Sequence, residues 1–228
     1  MRFPPPAIGL FLSFMPFMPP NPSQQGAVID AGAFVITRGA DVVGREEFTI
    51  RHGRTESGDG YTISATATYP PRRGQVTLAP VVELGPDSLP AAVQFDVFGD
   101  GQRRVYARFG ARRVTVRSVR PGGEAAREFP AARRQLVVDD SVFALYAILP
   151  GRGEGPLHLI APRQERRVEA RLTDLGTERT VVSGAARMLR HFGLEAEGET
   201  RHLWFDEGGR LMKVTLPGPG LTAQRVEG

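Results

Sequence analysis

The sequence predicts a mainly β fold, a curved antiparallel sheet or partly open β-barrel of roughly a dozen strands, with one short helix at about 141–149 on its concave side. Three observations carry that prediction. From Gly32 to Val226, short runs place apolar residues at every second position, which is the period of a half-buried strand. Gly, Pro and Asp separate the runs, and the chain holds 27 glycines and 19 prolines, as a succession of tight turns requires. A single stretch, Asp139 to Leu149, breaks the period.

The elements follow in chain order. Ala33–Arg38 and Val42–Arg51 read as a strand pair turned by Gly39-Ala40-Asp41. Tyr61, Ile63, Ala65, Ala67 and Tyr69 alternate with Thr62, Ser64, Thr66 and Thr68, giving one apolar and one hydroxyl face. Pro70-Pro71 ends that strand, because proline has no N–H for the ladder. Val76–Leu84 is the next strand, with Pro80 marking a bulge or an edge. Val93–Phe98 and Val105–Phe109 flank Gly99-Asp100-Gly101, residues that tolerate the positive φ of a hairpin turn. Val114 and Val116, Glu124–Phe129 and Gln135–Val138 complete the first half.

In the interrupting stretch, Val142, Leu145 and Leu149 fall at helical spacing. Asp139, Asp140 and Ser141 stand where side-chain oxygens cap a helix, and Pro150-Gly151 stops it. A helix this short needs tertiary packing to exist, which places it against the concave face. Strands resume at Pro156–Ala161, Val168–Thr173 and Thr177–Ser183, with Asp174-Leu175-Gly176 as a turn. Ala185–Leu194 fits either a strand or a helical turn. Arg201–Phe205, Leu211–Leu216 and Leu221–Val226 close the chain.

At the other end, Ala7–Met18 is an apolar run behind Arg2, interrupted and followed by prolines. About a dozen apolar residues suit a signal-peptide core and are too few for a membrane-crossing helix. Residues 1–27 are read as a signal peptide or disordered leader, and 28–228 as a single β-rich domain that is periplasmic or secreted.

Composition narrows the chemistry. There is no cysteine, which excludes disulfides, thiolate nucleophiles, Cys-ligated zinc and a lipid anchor on cysteine. His52, His158, His191 and His202 show no paired spacing for a shared metal face, and neither a metal nor a cofactor is expected. There is no Gly-x-Ser-x-Gly elbow and no phosphate-cradling loop. An enzyme would require several of Asp96, Asp139, His158, His191 and His202 to converge in a cleft. The expectation is a protein that is not an enzyme.

Two features remain as candidate binding surfaces. Phe95, Val97, Phe109, Leu145, Tyr146, Leu149 and Trp204 could line an apolar pocket where the helix meets the sheet; ordinary core packing uses the same side chains. Residues 101–134 hold ten arginines against Glu124 and Glu128. Strand phasing puts Arg104, Arg108, Arg113 and Arg117 on the polar face, where guanidinium groups match carboxylates and phosphates. A solvated outer face that discourages edge pairing is the alternative. Nucleic acid is not expected as a partner, since aromatics for base stacking are not interleaved there.

The runs Phe34-Val35-Ile36, Val43–Ile50, Val138-Asp139-Asp140-Ser141 with Tyr146 and Leu149, and Trp204-Phe205-Asp206 followed by Gly209-Arg210-Leu211 and Val214 resemble, in this order, a group of exported bacterial β-rich proteins of unknown function. More distantly, the layout is similar to the outer-membrane lipoprotein carrier and receptor fold, a curved antiparallel sheet closed by helices over a cavity that accepts acyl chains. This chain departs from that fold in having one clear helix instead of several. The resemblance implies a non-enzymatic periplasmic or secreted binder of an apolar or amphipathic, lipid-like ligand, and it carries over no catalytic residue. The alternative is an envelope structural or interaction module that grips an anionic polymer or headgroup through its arginine face.

Overall fold

Alternating side chains pair strand to strand until one sheet holds them all. The computed structural model describes residues 26–69 and 75–226. The expected leader up to Gln25 and the Pro70-Pro71 stop lie outside the described residues. Among the described residues there are fifteen strands: β1 (Ala27–Arg38), β2 (Asp41–Thr55), β3 (Gly58–Tyr69), β4 (Val76–Leu84), β5 (Pro90–Phe98), β6 (Arg103–Phe109), β7 (Arg113–Arg120), β8 (Gly123–Pro130), β9 (Gln135–Val137), β10 (Gly155–Ala161), β11 (Arg166–Val182), β12 (Ala185–Ala196), β13 (Glu199–Phe205), β14 (Leu211–Leu216) and β15 (Leu221–Val226).

All fifteen join one sheet, in the order β8-β7-β6-β5-β4-β3-β2-β1-β15-β14-β13-β12-β11-β10-β9. The first and last strands pair at its centre, from Ala33 opposite Val226 to Arg38 opposite Leu221. From there one meander runs out to β8 and the other to β9. Every pairing is antiparallel except β9 with β10. The outermost strands, β8 and β9, are consecutive in the chain, so the sheet must curl to bring its ends together. Along the curl β9 reaches β5, and all three of its residues are buried.

Alternation sets the inner face. In β2, Gly44, Glu46, Phe48 and Ile50 turn inward while Arg45 and Glu47 face solvent. Phe34, Ile36, Ile63, Leu78, Phe95, Phe192 and Phe205 are all at most 2% exposed and belong to one core cluster. Pairing of β3 with β4 lapses between Ser64–Val81 and Ala67–Leu78, at Pro80, which brings no N–H to the ladder.

The expected helix at 141–149 is smaller than its spacing suggests. It is a four-residue 3-10 turn, Phe143–Tyr146, followed by a second turn at Pro150–Arg152. The first turn bridges the concave space, touching β3 on one side and β14 on the other. Phe143, Ala144, Leu145 and Tyr146 are all buried, so no face is left for solvent. Its cap is also not the expected one. The carboxylate of Glu46, almost a hundred positions away, accepts both first N–H groups: Phe143 N–H to Oε2 and Ala144 N–H to Oε1, each at 2.7 Å.

Two further expectations change. The turn expected at Asp174-Leu175-Gly176 is a bulge between Asp174 and Gly176 inside the long β11, and Ala185–Leu194 is strand. The β11–β12 hairpin folds back onto the outer face of the sheet. Ser183 N–H reaches Gln224 Oε1 at 2.8 Å and its hydroxyl reaches the Arg225 carbonyl at 2.7 Å. Val182, Leu189, Trp204 and Met212 form a second, separate apolar cluster beneath it.

Candidate functional site

The inner face carries a polar network that fastens the 3-10 turn. Glu46 is fully buried, and loss of solvation pushes its pKa up to about 7, against its two N–H bonds; the nearby Asp139 charge adds to the rise. Asp139, also buried, receives Nε and Nη2 of Arg163 at 2.7 and 2.8 Å. Arg163 also donates to the Ser141 hydroxyl at 3.1 Å, and the Tyr69 hydroxyl donates to the Ser141 carbonyl at 2.7 Å. Asp140 takes Arg201 Nε and Nη2 at 3.2 and 3.1 Å and the Tyr146 hydroxyl at 2.8 Å. Burial opposes ionisation of Asp140, but Arg201 and Tyr146 outweigh it and hold the carboxyl below its ordinary value. Burial raises the phenols of Tyr69 and Tyr146 well above theirs. The tyrosines stay neutral and both aspartates are matched by guanidinium groups, which is an arrangement for holding a loop.

Beyond the turn, the concave space opens at one mouth. A cleft of about 400 Å³ lies between the ends of β1 to β4 and residues 147–152. Ile29, Ile50, Tyr61, Leu84 and Ile148 give it apolar walls, while Asp30, Asp87, Arg152 and Arg210 supply charge. The loop 85–89 forms one lip. It is fixed by Leu89 N–H to Asp87 Oδ1 at 2.8 Å, by a positive φ of 59° at Ser88, and by Arg152, which donates to the carbonyls of Asp87 and Ser88. On the far side of the same loop is a second, more open hollow of about 590 Å³, lined by Pro86, Leu89, Phe109, Ala131 and Arg133 among others.

The sequence-predicted pocket residues do not gather round either space. Phe95, Val97, Leu145, Tyr146 and Leu149 are core, each at most 5% exposed. Phe109 lines the second hollow. Trp204 is on the opposite face of the sheet, in the cluster under the β11–β12 hairpin. There its Nε1–H donates to Glu178 at 2.5 Å and the His191 ring stacks on it at 4.6 Å. The centre of the concave face is filled and its mouth is hollow. Sequence reading missed Ile29, Ile50, Leu84, Ile148 and Arg152. The available signal was Ile148, which stands off the Val142, Leu145, Leu149 stripe.

The arginine face is not a free cationic surface. Arg104 pairs with Asp96, Arg108 with Glu56, Arg113 with Glu128 and Arg117 with Glu124. Two of these partners, Asp96 and Glu56, lie outside the arginine-rich segment 101–134. Nor do the five candidate catalytic residues converge. Asp96 is with Arg104, Asp139 with Arg163, and His158 with Arg167 at 2.9 Å. His191 and His202 alone meet, Nε2 to Nδ1 at 2.9 Å. Among the described residues, no group of three or more His, Cys, Asp or Glu could hold a metal ion.

No protein-family model and no curated protein matches the chain. Among solved structures it is similar to a β-barrel-like protein of a domain of unknown function, DUF1849, from Brucella abortus. The TM-score is 0.56, and the alignment covers 86% of this chain and 95% of that one at 11% identity. The likeness at that identity is one of fold: a β-rich, barrel-like sheet. It does not extend to the lipoprotein carrier features that the sequence suggested. Among the described residues, no helix is long and apolar enough to cross a membrane.

Proposed function

We propose that the protein is a non-enzymatic, exported binder of a small amphipathic ligand, held in the cleft at the mouth of the curled sheet. The cleft itself carries this reading. Its volume of about 400 Å³ falls in the ordinary range for small-molecule sites, and apolar walls with a few polar groups are their usual lining. In the network that fastens the 3-10 turn, Asp139 and Asp140 are committed to Arg163 and Arg201 and Glu46 to two main-chain N–H groups, which favours binding over chemistry. Export is supported by the apolar run behind Arg2.

The test is a titration of the full chain with a fluorescent fatty acid. Saturable uptake is expected, weakened about tenfold or more when Ile148→Trp fills the cleft. Thermal melting shows whether that variant folds. A wild-type protein that neither takes up the probe nor copurifies with an amphiphile sinks the proposal.

A further inference from the structure

We propose that the ligand is anionic: a single-chain amphiphile whose head group is bound by the guanidinium of Arg152. This rests on the binding reading above and names the chemistry of the same cleft. The other charges at the cleft already have partners. Asp30 takes both Nη atoms of Arg225, at 3.0 and 2.6 Å, and Arg210 is paired with Asp206. Asp87 turns Oδ1 into its own loop, toward Leu89 N–H.

Arg152 is different. Its hydrogen bonds go to two neutral carbonyls, of Asp87 at 3.5 Å and of Ser88, and its Nε is buried with no partner. Asp87 acts on it through space, offset by a second cation, Arg134. Arg134 too is spent on carbonyls, those of Arg152, Gly153 and Glu154, at 2.8, 2.6 and 2.9 Å. Two guanidinium groups, one from residue 152 and one reaching the 152–154 loop from residue 134, therefore have main-chain oxygens as their acceptors. Burial pushes the Arg152 pKa down, the direction an anionic ligand would reverse. A guanidinium has five N–H donors in a planar fork suited to a carboxylate or phosphate, and two are used here. The walls complete the fit: an apolar chain can lie along Ile50, Leu84 and Ile148, with Ile29, 53% exposed, at the lip.

The experiment compares 11-(dansylamino)undecanoic acid with its methyl ester on the full chain, at low and high salt. The acid is expected to bind about tenfold more tightly at low salt, as one charge-assisted contact gives. Arg152→Met is expected to erase that preference, so that acid and ester bind the variant with equal affinity at either salt concentration. Equal affinity of acid and ester overturns the anionic assignment and leaves the binding reading standing; binding of neither overturns both. An acid preference that survives in a folded Arg152→Met variant also overturns it. Should that variant not fold, Arg152→Lys, which keeps the charge, is expected to retain a salt-sensitive preference for the acid; losing it counts against the proposal. A dansylated alkyl phosphate of equal length shows which anionic head the site prefers.

Discussion

Glu46 is a carboxylate placed where the fold needs an acceptor and solvent is excluded. Its neighbours are two main-chain N–H groups, Asp139 with its partner Arg163, and the neutral phenol of Tyr69. The folded pKa of about 7 exceeds the reference 4.5, so folding favours the protonated form. The resulting stabilisation is complete below about pH 4.5 and is lost as pH rises through about 7. It amounts to about 3 kcal/mol, since each tenfold gain in proton affinity is worth about 1.36 kcal/mol. The urea midpoint of the wild type is expected to fall across that window and to lie flat there in Glu46→Gln; equal slopes in the two would place the titrating group elsewhere. Asp140 contributes with the opposite sign, its support being lost toward acid pH. Asp139→Asn leaves Arg163 without its counter-charge and is expected to cost about 3–5 kcal/mol, the range for breaking a buried pair. It also lowers the pH at which Glu46 titrates, because the Asp139 charge helps to raise it. Position 46 shares its parity with Phe48 and Ile50, so its inward aim was legible in the sequence. Its donors were not, since they are the N–H groups of Phe143 and Ala144.

Among the elements, strand alternation came through from sequence to structure where a strand buries one face and exposes the other, as β2 to β7 do. What failed were places where a distant contact overrides the local pattern. The stretch after Asp139 has helical spacing, yet burial on every side and a carboxylate from β2 set a 3-10 turn instead. Leu175 looks like a turn residue, but β11 and β12 pair on both sides of it, and a bulge absorbs the extra residue. Two substitutions probe this level. At Gly60 a Cβ would stand 2.1 Å from the Leu84 carbonyl oxygen, so Gly60→Ala must push β3 from β4. A loss of about 1–3 kcal/mol or more is expected in thermal melts, with weaker ligand uptake because Tyr61 and Leu84 both line the cleft. Leu189→Ala removes packing beneath the folded-back hairpin and is expected to cost about 2–4 kcal/mol. Hydrogen exchange would then speed up over residues 176–189 and remain slow in β1 to β5; uniform acceleration would mean that the hairpin and the main core melt together.

For the molecule as a whole, topology decides how the chain folds. The central pair β1–β15 joins residues nearly two hundred positions apart, while the sheet ends are neighbours in sequence. No local period can announce such a pairing, which is why the strands were legible and their order was not. Long-range pairing slows folding, since loop closure precedes the contacts that reward it. A circular permutant opened between Ala132 and Arg133, with the natural ends joined by a flexible linker, would place the strands in the sheet in their chain order from β9 through β15 to β1 and on to β8. It is expected to refold faster than the natural chain at similar stability. A slower rate would show that closing β8 and β9 early is what guides assembly.

The cross-strand pairs on β5 to β8 also govern how the molecule meets a charged matrix. The pI is about 10.1, yet Arg104, Arg108, Arg113 and Arg117 each have a carboxylate beside them. The charge of these four arginines is thus offset where it stands. Elution from a cation-exchange column is expected at modest salt, earlier than the isoelectric point alone suggests, and neutralising Asp96, Glu124 and Glu128 together is expected to delay it. Copies of the protein, at a net charge of +4, are expected to repel one another, while a polyanion meets on this face four arginines that already have carboxylate partners.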